Sequence, residues 1–284
     1  MSELDRLHKT PDFLAIGHVA KDLEPGGSRL GGAVTYAALT AHAMGLSPAI
    51  VTSAGPDLDS AEALTDIPVH VVPASVTTTF RNTYRAGRRT QVLTSVASPL
   101  NMSDVPVPWR AVPLVMLGPL AGEVSDDLGR GFLHATVLAS VQGWLRRRDG
   151  EGCVIPSYWV GNRVLPYVHA AVLSDDDLGD RKWIEGWKDV VPVLIVTAGN
   201  AGAAVHLGGR WHDVPAFPVE EVDPTGAGDV FGAAYLIRYA ETGDVLISAL
   251  FAGCAASFCV EADGTQGIPT RAQVEARLSG HSGS

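Results

Sequence analysis

The first strongly apolar stretch of the chain is Phe13–Val19 (FLAIGHV), of a length that suits a buried strand. A polar, glycine-rich passage follows, with Lys21-Asp22, Gly26-Gly27 and Gly31-Gly32, and reads as a turn. Ala33–Met44 is rich in alanine, free of breakers and stopped by Gly45, which predicts a helix. Ala49–Ser53 is the next strand. Strand, glycine turn, helix and strand form the order of a βαβ unit, whose crossover gives a parallel, buried sheet.

Between Val69 and Ser98 the pattern changes. TTTFRNTYRAGRRTQVLTSV is rich in β-branched residues and alternates polar with apolar positions about Ala86-Gly87. It predicts an antiparallel hairpin with a solvated face, a flap with its lid elements around 77–98. The α/β rhythm then resumes. Val112–Leu117, Ala135–Ser140, Val154–Ile155 and Ala171–Ser174 read as strands, and Asp126–Phe132 and Val160–Val168 as helices. Val193–Thr197 (VLIVT) is the cleanest buried strand. Ala203–Pro215 reads as a hairpin about Gly208-Gly209, and Gly228–Tyr239 and Val245–Val260 as consecutive helices. No repeat or low-complexity linker interrupts the pattern, so residues 1–284 read as one α/β domain.

Composition narrows the function. At 46% hydrophobic and 18% charged residues the chain is globular rather than disordered. A formal charge of −10 argues against nucleic acid as a partner, which needs a basic face, but leaves room for a single nucleotide held by backbone N–H groups. Cys153, Cys254 and Cys259 are an odd set without metal or CxxC spacing, which fits a reducing compartment. The polar start MSELDRLHKTPDF lacks the apolar core of a signal peptide, and no apolar run approaches the roughly 20 residues that span a bilayer. The expectation is a soluble, cytoplasmic protein.

The strongest local signal is Asp223-Pro224-Thr225-Gly226-Ala227-Gly228-Asp229, which runs directly into VFGAAYLIRYA. Small residues before a helix let the backbone approach a ligand, and first-turn N–H groups at the positive end of the helix dipole make an anion site. The N–H groups of Ala227, Gly228 and Asp229 are placed to hold the charge of a transferring phosphoryl group. A carboxylate on the same turn, Asp229, is placed to accept the proton of an attacking hydroxyl. Taken alone, a Gly-x-Gly-Asp is as readily a tight loop with a capping Asp.

The segment DPTGAGD resembles the C-terminal signature of the ribokinase-like (PfkB) carbohydrate kinases, and the resemblance runs from about Phe13 to Leu278. It implies a Rossmann-like three-layer α/β/α fold with a small β-sheet lid. It also implies Asp229 as catalytic base, with the turn Gly226, Ala227 and Gly228 as anion hole. GHVAKD resembles the strand that carries the substrate-hydroxyl-binding Asp, here Asp22, and LGGAVTYAALTAHAMG the family's Gly-Gly helix, with Gly31 and Gly32 against the substrate. SAGPD, with Asp57, resembles the end of the second strand, and Thr77–Ser95 the β-lid. Thr197-Ala198-Gly199-Asn200-Ala201-Gly202 resembles the Thr-x-Gly-x-x-Gly beside the nucleotide. Thr197, Gly199, Gly202, Thr225 and Gly228 are therefore the implied ATP-binding residues. ATP, Mg²⁺ and a monovalent cation are the implied cofactors; a small molecule and ATP are the implied partners, in a monomer or homodimer.

The sequence also departs from that pattern. Tyr36 stands where ribokinase has a sugar-contacting Asn, and Ser174-Asp175-Asp176-Asp177 replaces the family's Asn-x-x-Glu, leaving Asp177 to act on Mg²⁺ through water. Ser140-Val141-Gln142-Gly143-Trp144-Leu145-Arg146 resembles the Asp-Val-Gln-x-x-x-Arg of myo-inositol kinases, which adds Arg146 to the substrate-binding set beside Tyr36 and points to a cyclic polyol. Arg81, Arg88 and Arg89 on the flap are further candidates for phosphate or substrate contact. His18, in an apolar run, reads as a satisfied core residue. A Walker A kinase lacks its GxxxxGK[ST] here and a dehydrogenase its GxGxxG. A nucleoside or vitamin kinase of the same fold, and a non-catalytic ligand-sensing module, remain as alternatives.

Overall fold

The structure, a computed structural model, describes residues 9–24, 26–58, 64–85 and 88–281, and the side chains of 83–90 fall outside that description. In chain order the first elements are β1 (Phe13–Ile16), β2 (Ala20–Glu24), β3 (Gly27–Gly31), α1 (Ala33–Ala43), β4 (Pro48–Ala54) and β5 (Val69–Pro73). Next come β6 (Thr78–Arg85), β7 (Arg88–Ser95), β8 (Leu114–Leu117), β9 (Thr136–Ser140), β10 (Arg146–Arg148) and β11 (Val154–Pro156). The last are β12 (Ala170–Ser174), β13 (Val193–Thr197), β14 (Ala203–Leu207), β15 (Arg210–Val214), α2 (Ala227–Thr242), α3 (Val245–Cys259) and α4 (Arg271–His281).

Nine strands form the main sheet in the order β5-β4-β1-β8-β9-β12-β13-β14-β15. The first seven are parallel, and β14 and β15 complete the edge as an antiparallel hairpin. Every residue of β1 is fully buried, as a central parallel strand covered on both faces requires. Alternate side chains divide between two cores. Phe13, Ala15, Ile50, Met116 and Ile195 pack against the four helices, while Leu14, Ile16, Val51, Val115 and Leu194 face the other way.

That second layer differs from the expected helices. It is built from 3₁₀ turns, among them Val107–Ala111, Leu128–Phe132, Val141–Leu145, Leu165–Tyr167 and Arg181–Trp187, around the buried Trp109 and Trp187. The helix expected over Asp126–Phe132 contracts to Leu128–Phe132, which contains Gly129 and Gly131; the one expected over Val160–Val168 contracts to a turn centred on Pro166. Glycine and proline at these positions cost a continuous helix about 1 and 3 kcal/mol each.

The glycine-rich passage at 20–31 is also more ordered than a turn. It forms β2 and β3, which join β6 and β7 in a four-stranded sheet of order β3-β2-β6-β7. The tip of the expected hairpin, Ala86-Gly87, lies outside the described residues, as do the side chains of Arg88 and Arg89. Val154–Ile155 pairs with β10 rather than with the main sheet, and this small hairpin braces β7 through Leu93 N–H to the Gly152 carbonyl at 2.9 Å.

Chain order reverses between β1 and β8: from β1 the chain builds β4 and β5 on one side, then returns to β8 on the other. Open α/β sheets bind ligands outside the carboxyl ends of the strands at such a switch point. Here the strand ends approach so closely that a Cβ on Gly17 would overlap the Gly118 carbonyl. His18, fully buried, joins the lid to this point. Its Nε2 lies 2.9 Å from the Ser98 carbonyl and its Nδ1 2.7 Å from Thr78 Oγ1, so both ring nitrogens are engaged. The buried Glu123 carboxylate accepts the N–H groups of His18, Leu120 and Ala121 beside it.

Candidate active site

The turn before α2 is held open from within. Asp223 Oδ1 accepts the Thr225 N–H at 2.9 Å and its Oδ2 the Gly264 N–H at 3.1 Å, fixing the start of the turn to the loop after α3. Gly226 caps α2 in the left-handed region (φ +81°), and a Cβ there would overlap the ring of Tyr36. Two constraints thus demand glycine at 226: the conformation and the aromatic ring beneath it. The donors of the turn are not all available. The Ala227 N–H bonds the Pro224 carbonyl at 3.3 Å and the Asp229 N–H the Gly226 carbonyl at 3.0 Å. Among the described residues Gly228 N–H makes no backbone hydrogen bond; Gly228 is exposed, and a Cβ there would meet nothing within 4 Å. The expected three-donor cradle thus contracts to one centred on Gly228, because the helix begins with tight i→i+3 bonds.

Asp229, on the first turn of α2, is surrounded by protein, and the resulting desolvation raises its pKa from 3.8 to about 7; Arg146 opposes the rise and Asp177 adds to it. A carboxyl group at that value holds and releases a proton near neutrality, which suits a general base. Arg146, at the start of β10, and Asp177, after β12, form an ion pair at 3.0 Å. Gln142 Nε2 donates to Asp177 at 2.9 Å and the Ser174 N–H donates to it at 3.2 Å. The chain ends of β9, β12 and α2 therefore converge on one charged cluster.

Part of the sequence and the fold recur in known proteins. A family model described as pfkB family carbohydrate kinase matches residues 181–271, which include the α2 turn. Ribokinase of Bacillus subtilis is 45% identical over 87 residues, covering 30% of this chain and 30% of that protein. The chain thus spans about a third of the length of the first curated relatives it matches. Cytidine kinase of Thermococcus kodakarensis is 24% identical over 252 residues, 80% of this chain and 88% of its own length. Among solved structures, a pyrophosphate-dependent kinase in the ribokinase family, complexed with a pyrophosphate analog and myo-inositol, matches with a TM-score of 0.77. That match has 21% identity and covers 93% of this chain and 99% of the other. The fold is ribokinase-like.

In this ribokinase-like frame the expected acceptor residues gather at the lid. Asp22 on β2 is 7% exposed, and a Cβ on Gly31 would overlap its Oδ2. Gly32 caps α1 at φ +98°, where a Cβ would lie 2.5 Å from the His18 carbonyl oxygen. Tyr36, expected at the substrate, is 1% exposed, its ring under Gly226 and its hydroxyl buried without a hydrogen-bond partner among the described residues. Its visible role is to shape the turn.

The expected nucleotide residues lie at the end of β13. Thr197 Oγ1 bonds the Leu173 carbonyl at 3.2 Å, and a Cβ on Gly202 would overlap the Val214 carbonyl, so both serve the local backbone; Gly199 faces open space. Thr225 supplies a carbonyl 3.6 Å from Cys259 Sγ. Asp177 accepts hydrogen bonds from Gln142, Arg146 and Ser174. Among the described residues no group of three or more His, Cys, Asp or Glu side chains is arranged to hold a metal ion. No described helix is long and apolar enough to cross a membrane.

Two residues that shape the site, one in this cluster and one on β3, carry no assignment from sequence. Gln142 sits within the quoted SVQGWLR stretch, where its spacing from Arg146 was the available signal. Arg29 carried no signal, since its partners Asp223 and Asp263 are about 200 positions away.

Proposed function

We propose that this chain is a phosphotransferase that moves the terminal phosphoryl group of ATP onto a hydroxyl of a sugar or cyclic polyol. The observation that carries the reading is Asp229. Its carboxyl is raised to about 7 on the first turn of α2, one residue from the open Gly228 N–H, at the carboxyl-end edge of the sheet. In this reading Asp22, Gly31 and Gly32 hold the acceptor below the lid. Asp229 takes the proton of the attacking hydroxyl, and the Gly228 N–H with the helix dipole stabilises charge on the transferring group. Arg146 keeps the Asp229 carboxylate accessible near neutral pH by opposing its desolvation. Mg²⁺ bound to the donor would neutralise phosphate charge, and catalysis would otherwise consist of positioning. The chain would act in the cytoplasm as a monomer or homodimer.

A cyclic polyol such as myo-inositol is the acceptor favoured here, supported by the SVQGWLR stretch and by the myo-inositol complex of the structural relative. The second reading, a nucleoside acceptor, is supported by the match to cytidine kinase over most of both chains. The same structural relative makes pyrophosphate a donor to be tested beside ATP. The deciding experiment is a phosphoryl-transfer screen of the purified protein, with Mg-ATP or Mg-pyrophosphate as donor against sugars, cyclitols, nucleosides and pyridoxal-like alcohols. Turnover confined to cyclitols and sugars supports the proposal; turnover confined to nucleosides replaces the acceptor. Silence with every pair, while ATP still binds, leaves the ligand-sensing reading in its place.

A further inference from the structure

The lid sheet and the α2 turn are joined by one side chain. Arg29 lies on β3, the edge strand of the lid, opposite Asp22 and two residues before Gly31. Its Nη1 donates to Asp263 Oδ1 at 2.6 Å and to Asp223 Oδ2 at 3.3 Å, and its Nε lies 3.3 Å from Glu24. Asp223 is also the residue that accepts the Thr225 and Gly264 N–H groups. The loop around it is tied once more, by the Val222 N–H to the Val260 carbonyl at 2.7 Å. Gly264 itself must be small, since it sits at φ +55° and a Cβ would lie 3.1 Å from Arg29 Nη1.

We infer that Arg29 is a positioning residue, which locks the acceptor-side lid onto the donor-side turn and neutralises the two carboxylates flanking that turn. Three segments far apart in sequence meet on its guanidinium, where Nη1 serves both Asp223 and Asp263 while Nε faces Glu24. Without it, Asp223 and Asp263 would present uncompensated negative charge beside the place proposed for a polyphosphate, and the turn that presents Gly228 would lose its tie to β3. The inference rests on the phosphotransfer reading for its catalytic consequence, but the mechanical tie can be measured without turnover.

The test uses the full chain and the variants Arg29→Ala, Arg29→Lys and Asp263→Asn. Amide hydrogen exchange without ligand should show residues 222–229 exchanging about tenfold faster in Arg29→Ala than in the unaltered chain. With Mg-ATP and the acceptor found by the screen, Arg29→Ala should lower kcat about 10- to 100-fold, the scale of a displaced reacting group. The acceptor KM should change less than about threefold, and millimolar guanidinium should restore part of the rate. Arg29→Lys should fall between the two, and Asp263→Asn, which keeps Asp223, should lose less than Arg29→Ala. Unchanged exchange at 222–229 would overturn the tie, and Asp263→Asn answers the same question should Arg29→Ala not fold. A tenfold rise in acceptor KM with kcat intact would make Arg29 a direct substrate contact and overturn the positioning role. If no donor and acceptor pair reacts even with the unaltered chain, the phosphotransfer reading fails, and the exchange data alone decide the tie.

Discussion

Replacing Asp229 by Asn separates the chemistry of this carboxyl group from its cost to the fold. Its pKa stands at about 7 in the folded chain against an ordinary 3.8. Between these values the folded state keeps a proton that the unfolded state has released, so stability falls as pH rises from about 4 to 7 and levels off above. At about 1.4 kcal/mol per pH unit the full interval amounts to about 4 kcal/mol. The side chain is packed among protein atoms yet keeps some accessible surface, and solvent at that edge brings the expected cost to about 2–4 kcal/mol. Asparagine has the same shape and carries no charge, so Asp229→Asn should abolish this pH-dependent loss. Urea unfolding at pH 4.5 and 8.5 measures it: the variant should exceed the unaltered chain by no more than about 1 kcal/mol at the lower pH and by about 2–4 kcal/mol at the higher. The same variant should lose about 10²- to 10⁴-fold in kcat, the contribution of a general base. An equal stability difference at both pH values would refute the reasoning, because Asp229 would then ionise as freely folded as unfolded.

Three further outcomes follow from the turn and its neighbours. Gly228→Ala adds a methyl group where nothing lies within 4 Å, so the fold should be kept and the helix favoured by about 1 kcal/mol, while transfer drops at least about 100-fold, read by thermal unfolding beside steady-state kinetics. Gly226→Ala instead meets both a left-handed backbone and the Tyr36 ring, and should cost about 2–4 kcal/mol in urea unfolding. The pH dependence of kcat/KM should rise through about 7 as Asp229 ionises, and Arg146→Ala, which removes the group opposing desolvation, should move that limb to higher pH; movement to lower pH would contradict the assigned electrostatics.

How far the sequence could be read depended on the range of the interaction involved. The buried parallel strands announce themselves as apolar runs, and Val193–Thr197 appears with the bounds expected of it. Three of the helices on one face announce themselves as long apolar stretches, and Ala33–Ala43 ends one residue before the expected Met44; Arg271–His281, with Val274 as its one buried residue, is too polar to do so. The opposite layer does not, because apolar residues spaced among glycine and proline fit a helix and a series of 3₁₀ turns alike until tertiary packing decides. β2 and β3 were hidden for another reason: LEPGGSR carries little β-propensity, and these strands exist because β6 offers them an edge. At the site, the turn is local and was readable, whereas its support is not. Tyr36 under Gly226 and Arg29 across to Asp223 and Asp263 are contacts between segments with no pattern in common.

Passage of a phosphoryl group to an alcohol, with Asp229 as the proposed base, has a direct spectroscopic readout. Phosphorus-31 NMR of the reaction mixture, with the best donor and acceptor pair from the screen, tests it most directly when the unaltered chain and Asp229→Asn are followed side by side. A new phosphate-ester signal should grow with donor consumption in the unaltered chain, and at least about 100-fold more slowly in the variant while ATP still binds. An ester signal that grows equally fast in both would contradict Asp229 as the base.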